Sequence, residues 1–396
     1  MQRSHSLAFI IAVLAVTQLV GWGTISLPAV IGEQLARDLS LSLPAVFAGT
    51  TVMLIVTGLS SPLMGSAFVR FGARAVMAAG SLVAAPGFVL IAAAGGPALY
   101  YAGWVVLGVA GAAMLSTATY ILLNEVAGSG ARRPIGTLML MTGLASSLFW
   151  PITAYLTELV GWRATLLIYA ASMVLVCFPL HMFALPQRQK PPAASGPEAA
   201  ASVGKAVQRL PFVMLAAAIT LNAFVSWGTG SIIIQLLKSM GVGDAWALRV
   251  GSLLGVIQTS ARVLDFFGGG RWTGLATGIV AATVLPVAFL LLLFGGPADW
   301  AIAAFMLLYG GASGAMAVAR ATMPLVFYDA AAFARASSQI ALPSNLAGAF
   351  SPPLMVAVLT TFGSNAVISL GLACSLASLA MLIGLAIVHR RSIVKT

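Results

Sequence analysis

Charge is what this chain has least of. Of its 396 residues, 9 are Asp or Glu and 20 are Lys or Arg, 7% in all, against about 25% in a soluble domain. So few charges cannot cover a water-facing surface of this length. A soluble enzyme of two or three domains is excluded, and 60% apolar residues exclude a disordered chain. Cysteine is nearly missing: Cys177 and Cys374 both lie in apolar runs and make no disulfide framework. There are three histidines, with no metal-ligand cluster and no nucleophile–histidine–acid set around them. Gly268-Gly269-Gly270 lacks the Lys-Ser or Lys-Thr that a phosphate-binding loop needs. The expectation is a protein that is not an enzyme and carries no cofactor and no metal.

What is present is long apolar runs. A membrane helix takes about 20 apolar residues, and the chain divides into runs at 7–31, 44–66, 75–95, 98–123, 134–157 and 163–185, then 210–236, 246–268, 274–295, 299–327, 337–361 and 364–388. The first follows Arg3 and His5 but is too long for a signal peptide, whose apolar core is about 7–15 residues. The runs do not alternate apolar with polar, which excludes a membrane β-barrel. The fold class expected is an all-α membrane protein of twelve transmembrane helices in two six-helix bundles, 1–185 and 210–396. The polar stretch 186–209 joins them, with four prolines, Arg188, Lys190, Lys205 and Arg209 against one acid, Glu198. It reads as a flexible cytoplasmic linker.

The net charge of +11 has the same explanation and calls for no nucleic-acid partner. With the N-terminus inside and twelve spans, Arg3, Arg70, Arg74, Arg132, Arg133, Arg188, Lys190, Lys205, Arg209, Arg271, Arg335, Arg390, Arg391 and Lys395 fall on the cytoplasmic side. Arg37, Arg163, Lys238 and Arg249 fall outside. Fourteen against four places both termini in the cytoplasm by the positive-inside rule.

The halves repeat at an offset near 203 residues. Trp22-Gly23-Thr24 with Ser26 matches Trp227-Gly228-Thr229 with Ser231. Gly65 matches Gly268; Gly108, Gly111, Ala118 and Thr119 match Gly311, Gly314, Ala321 and Thr322; Pro151 and Gly161 match Pro353 and Gly363. Parallel six-helix halves are a known transporter plan, with a substrate site near the bilayer midplane.

The loop after the second helix reads Gly65-Ser66-Ala67-Phe68-Val69-Arg70-Phe71-Gly72-Ala73-Arg74. It resembles the signature of the major facilitator superfamily, in which a glycine, an acid–arginine pair, a glycine and a basic residue recur. Gly65, Arg70, Gly72 and Arg74 match that conformational-switch loop; Val69 stands where the family usually has Asp. Gly161-Trp162-Arg163 is similar to the family as well. Gly21-Trp22-Gly23-Thr24 and the arginine–acid pair of helix 8 look like the monocarboxylate-transporter-like and oxalate–formate-exchanger-like branch. That resemblance implies a carrier of small organic anions.

Ionisable groups inside a bilayer are functional candidates. Three remain after the spans are placed: Arg262 and Asp265 on helix 8, and Arg320 on helix 10. At roughly 2.5–3.5 kcal/mol each at a helix centre, the three cost about 8–10 kcal/mol, so they cannot face lipid cheaply. Arg262 and Asp265, three apart, share a helix face. One acid cannot neutralise two arginines, so an anion is attracted, and the planar arginine fork suits a carboxylate. Arg262 pairing with Asp265 to lock the second half is the alternative role. Asp265 is the proton-coupling candidate. The first half offers no embedded acid, base or histidine, His181 being close to a helix end. Gln18, Trp22, Tyr120, Asn222, Trp227 and Gln258 are further substrate-binding candidates, each with interhelical hydrogen bonding as its alternative role. The prolines at 151, 343, 352 and 353 should kink helices 5 and 11.

The function expected is secondary active transport of a small organic anion across the cytoplasmic membrane by alternating access, as symporter or antiporter. The partners are the substrate, protons and the lipid bilayer, and the carrier acts as a monomer. A proton-coupled efflux carrier for drugs or toxic compounds is the alternative; it would present an acid and make little use of two arginines.

Overall fold

The structure is a computed structural model describing residues 6–187, 209–268 and 273–393. Most of the linker expected at 186–209 lies outside the described residues, as do Arg271, Gly269 and Gly270.

Among the described residues twelve helices follow one another: α1 Leu7–Asp38, α2 Leu43–Phe71, α3 Ala73–Ala92, α4 Pro97–Ala127, α5 132–160, α6 162–184, α7 Arg209–Ser239, α8 Asp244–Phe267, α9 Gly274–Gly295, α10 Asp299–Phe327, α11 Ala330–Phe362 and α12 Ser364–Ile393. Polar residues at the starts do the capping that water would do elsewhere. Ser6 Oγ accepts from Phe9 N, Ser42 from Ala45 N, Thr273 from Ala276 N, and Asp329 Oδ1 from Ala332 N. Among the described residues, ten stretches are long and apolar enough to cross a membrane. One of them, Leu148–Ala184, runs through both α5 and α6, and α8 is outside the ten. Leu63, Leu175, Leu264, Phe294 and Phe362 point outward, a density of exposed apolar groups suited to lipid.

Contacts divide the chain into two compact units. One comprises α1–α6 with the first part of α11, Asp329–Asn345. The other comprises α7–α10, the rest of α11 from Leu346, and α12. In the first unit Tyr100, Trp104, Phe68 and Phe88 are fully buried; in the second, Phe289, Phe305 and Tyr309 stack together.

The internal repeat has a packing meaning. A Cβ on Gly23 would run into the Phe149 ring, so α1 lies directly on α5. A Cβ on Gly228 would sit 2.8 Å from Met355 and 3.1 Å from Ser351, so α7 lies directly on α11. The matched pair Gly161 and Gly363 turn the chain from α5 to α6 and from α11 to α12, with φ of 78° and 82°. At Gly161 ψ is 160°, a combination essentially reserved for glycine. An added Cβ meets nothing within 4 Å at either site, so an alanine there would feel backbone strain alone. Gly161→Ala and Gly363→Ala should each cost about 1–3 kcal/mol, read as a lower Tm in detergent. Gly311→Ala, inside α10 and equally free of neighbours, should leave Tm unchanged or raise it.

Helical winding runs through the prolines and is interrupted at other places. α11 continues through Pro343, Pro352 and Pro353, and α5 through Pro151. Membrane helices tolerate proline because neighbouring groups satisfy the freed carbonyl. α4 instead breaks at Leu115 (φ −84°, ψ −157°), without a proline nearby. α1 turns at Ser26–Leu27 and runs on to Asp38, past its expected end at 31, and α5 turns at Gly143–Leu144. Where α1 ends and α6 begins, Trp162 Nε1 donates to Asp38 Oδ2 at 2.7 Å. Arg163 stacks on Trp162, pairs with Asp38 at 3.5 Å and donates to Ala94 O. This ties α1, α6 and the α3–α4 turn.

Candidate functional site

In the second unit, α8 is built with two faces. At 100° per residue, Leu253, Val256, Leu264 and Phe267 project from one side and Gln258, Arg262 and Asp265 from the other. The first four are exposed and the last three half-buried. The polar face meets α10, where Gly310 and Gly314 remove side chains. A Cβ on Gly310 would lie 2.8 Å from Ile257, and one on Gly314 would run into the backbone of Gln258. That approach lets Gln258 Nε2 donate to Ser313 Oγ at 3.1 Å, while Ser313 Oγ donates to Gly310 O. Gln258 and Ser313 are therefore level. Arg262 is one turn further along α8, about 6 Å, and Arg320 about 10 Å further along α10, at 1.5 Å per residue. Both arginines are half-buried. Asp265 Oδ1 accepts from Thr277 Oγ1 of α9 at 3.0 Å. The C-terminal parts of α8 and α10 thus carry the two arginines at similar levels, with the one carboxylate tied to a buried hydroxyl of α9.

Asn222 and Trp227 are on α7. Asn222 is buried, its Oδ1 accepting from Ser226 Oγ at 3.4 Å while its Nδ2 makes no hydrogen bond. Trp227 is 46% exposed and lies along Gly348 of α11.

In the first unit, Gln18 and Trp22 grip the break in α4. Gln18 Nε2 donates to Met114 O at 2.8 Å, the carbonyl that the extended Leu115 loosens from the helix, and Trp22 Nε1 donates to Ser116 Oγ at 3.1 Å. Gln18 is fully buried and its Oε1 makes no hydrogen bond. Tyr120 is half-buried one turn beyond the break. The structure thus brings Gln18 and Trp22 together on α4, and Gln258, Arg262 and Asp265 on one face of α8.

The α2–α3 turn is a single residue, Gly72 (φ 80°, ψ 156°). Gly65 admits the first part of α11, since its Cβ would lie 3.0 Å from Ser338. Arg70 is exposed with its guanidinium 5.1 Å from the centre of the Phe71 ring, and Arg74 is half-buried. The acid missing at Val69 has a counterpart that the sequence reading overlooked: Glu125 Oε2, from the C-terminal end of α4, accepts from Ala73 N at 3.4 Å and caps α3.

His181 lies three residues from the end of α6, as expected, and inside the packed first unit. It is fully buried, with Nδ1 2.8 Å from Ser81 Oγ of α3 and Nε2 making no hydrogen bond. Its segment of α6 is wound as two π-helical stretches, 173–177 and 180–184. Their wider winding shifts the faces of α6 from the 3.6-residue pattern a sequence reading assumes. Ser313 and Thr277 were also overlooked, because a hydroxyl in an apolar helix carries no sign of reaching across.

The Major Facilitator Superfamily profile matches residues 11–352. The human organic anion transporter MFSD10 superposes with a TM-score of 0.71 at 16% identity, covering 96% of this chain and 100% of its own. The proton:xylose symporter XylE, bound to 6-bromo-6-deoxy-D-glucose, gives 0.70 at 15%, covering 93% and 94%. FucP in its outward conformation gives 0.73 at 12%, covering 95% and 98%. No curated protein matches the sequence. At these identities the structural likenesses concern the fold.

Proposed function

The chain belongs to the major facilitator superfamily, and from that footing we propose that this membrane transporter carries a small organic anion, a carboxylate, by alternating access. One observation carries the reading. The inner parts of α8 and α10 hold Arg262 and Arg320 against the single acid Asp265 on the same face of α8. Two fixed cations and one anion in a poorly hydrated interior favour a negatively charged guest. Arginine offers a carboxylate two parallel hydrogen bonds where lysine would offer a point charge. The neighbours in fold carry organic anions in one case and a sugar in another, so the proposal stands on these residues. Gln258, one turn outward from Arg262, and Gln18, Trp22, Tyr120, Asn222 and Trp227 are the neutral groups assigned to shape the site. Asp265 is the group assigned to carry a proton if transport is proton-coupled. The fourteen-to-four division of basic residues supports a cytoplasmic-membrane carrier with both termini inside, and the carrier is taken to act as a monomer.

The test is uptake of a panel of mono- and dicarboxylates into proteoliposomes, with and without a pH gradient. Saturable uptake of at least one carboxylate is the expected result. Transport of a cationic dye with no carboxylate uptake would overturn the reading in favour of drug efflux. The gradient arm reads proton coupling, which Asp265→Asn should abolish if that carboxylate carries the proton.

A further inference from the structure

The position of Asp265 is set from a helix other than its own. Its Oδ1 accepts from Thr277 Oγ1 at 3.0 Å, and Thr277 is 4% exposed. Thr277 is itself held in place by packing. It lies between Gly274 and Gly278, four residues apart on α9. A Cβ on Gly274 would lie 2.6 Å from Thr322 Oγ1 and 2.7 Å from Thr322 C. One on Gly278 would lie 2.9 Å from Met323 Sδ and 3.6 Å from Ala319 Cβ. At Gly274 those contacts are with backbone and a short side chain, which leaves α9 little room to slide or roll on α10, while at Gly278 the adaptable Met323 side chain fills the contact. The α10 segment it is clasped to, Ala319–Met323, is the one that carries Arg320. The acid of α8 is therefore fastened to α9, and α9 to the turn bearing the second arginine.

We infer that Thr277 is a positioning residue: its hydroxyl holds the Asp265 carboxylate at the α8–α9 contact and so limits how far that carboxylate competes with a bound anion for Arg262 and Arg320. The inference rests on the organic-anion reading for its functional consequence, and on geometry for the tether itself. A carboxylate three residues from Arg262 on the same helix face is an internal competitor for the substrate's own carboxylate. A hydroxyl that donates to it from a clamped helix keeps it on the α9 side. Besides Asp265, the charged groups on the elements concerned are Arg262 on α8 with Asp244 and Arg249 toward its start, Arg320 on α10 with Asp299 at its start, and Arg209 and Lys238 at the two ends of α7. α9 contributes Thr277 and no charge.

The experiment compares Thr277→Val, Thr277→Ser, Asp265→Ala, which removes the acceptor, and the Thr277→Val/Asp265→Ala double variant. In proteoliposomes, Thr277→Val should raise KM for the transported carboxylate about tenfold with kcat little changed, the worth of one hydrogen bond to a charged group. Thr277→Ser should restore KM, and in the Asp265→Ala background Thr277→Val should add nothing. An unchanged KM, or an equal effect with and without the acid, overturns the inference. Tm in detergent is measured on the same four proteins. Thr277→Val should lower Tm in the parent and not beside Asp265→Ala; additive losses would refute the tether. If the parent takes up no carboxylate, the anion reading fails, and the Tm comparison still decides whether Thr277 holds Asp265.

Discussion

Arg262→Gln is expected to lower carboxylate affinity about 100-fold, the cost of about 3 kcal/mol that follows when one member of a desolvated, hydrogen-bonded charge pair is truncated. Gln keeps most of the length and a hydrogen-bond donor, and removes the charge and the fork. Arg262→Lys separates these two: it keeps the charge, so the loss should be smaller, and whatever loss remains measures the paired geometry. The variant should fold, because Gln is less costly than Arg in a membrane interior; size exclusion and Tm in detergent check this. Wild-type affinity in Arg262→Gln would remove the anion proposal, since Arg320 and Asp265 alone leave the site with no excess positive charge.

Gly314→Ala is expected to be the most damaging single methyl group in the second unit. Its Cβ would run into Gln258 O and lie 2.8 Å from Gln258 Cα and 2.9 Å from Gln258 C. All three are backbone atoms of a neighbouring helix, so no side chain can turn aside. α8 and α10 must separate, and overpacking of this kind costs about 1–3 kcal/mol or more. The Gln258–Ser313 hydrogen bond is then stretched or lost, about another 1 kcal/mol. Transport should fall with stability, because Arg262 and Arg320 ride on the two helices that part. Gly255→Ala is the control: it is on α8 with nothing within 4 Å of its added Cβ, and it should melt like the parent. A Gly314→Ala protein with the parent's Tm would mean that α8 and α10 are not in direct backbone contact.

The contrast between these two glycines shows where sequence reading works and where it stops. Long apolar runs report helix number directly, because in lipid the backbone has to satisfy itself within each span. The repeat was legible for a physical reason too. Trp-Gly-Thr recurs because the middle residue must vanish where α1 meets α5 and where α7 meets α11. Gly161 and Gly363 recur because both turns demand the same backbone. Tertiary partners left no such trace. Leu115 is an apolar residue among Ala, Gly and Met, and only Gln18 on another helix accounts for the break there. Thr277 reads like Thr283, whose hydroxyl returns to its own helix at Ile279 O, the ordinary habit of threonine. What distinguishes them is that Asp265 faces one and not the other. Arg262, Asp265 and Arg320 were visible as candidates because charge is rare in this chain, whereas Glu125 was hidden at a helix end, where charge is common.

The two-faced character of α8 bears on how the protein is made. A segment carrying Arg262 and Asp265 partitions poorly from the translocation channel when it emerges alone, since each such group weighs against insertion by roughly 2.5–3.5 kcal/mol. Its natural companions, α9 with Thr277 and α10 with Ser313 and the Gly310–Gly314 groove, are synthesised after it. Stable integration of α8 is therefore expected to depend on α9 and α10, so chains truncated after α8 should integrate it less efficiently than chains that extend past α10.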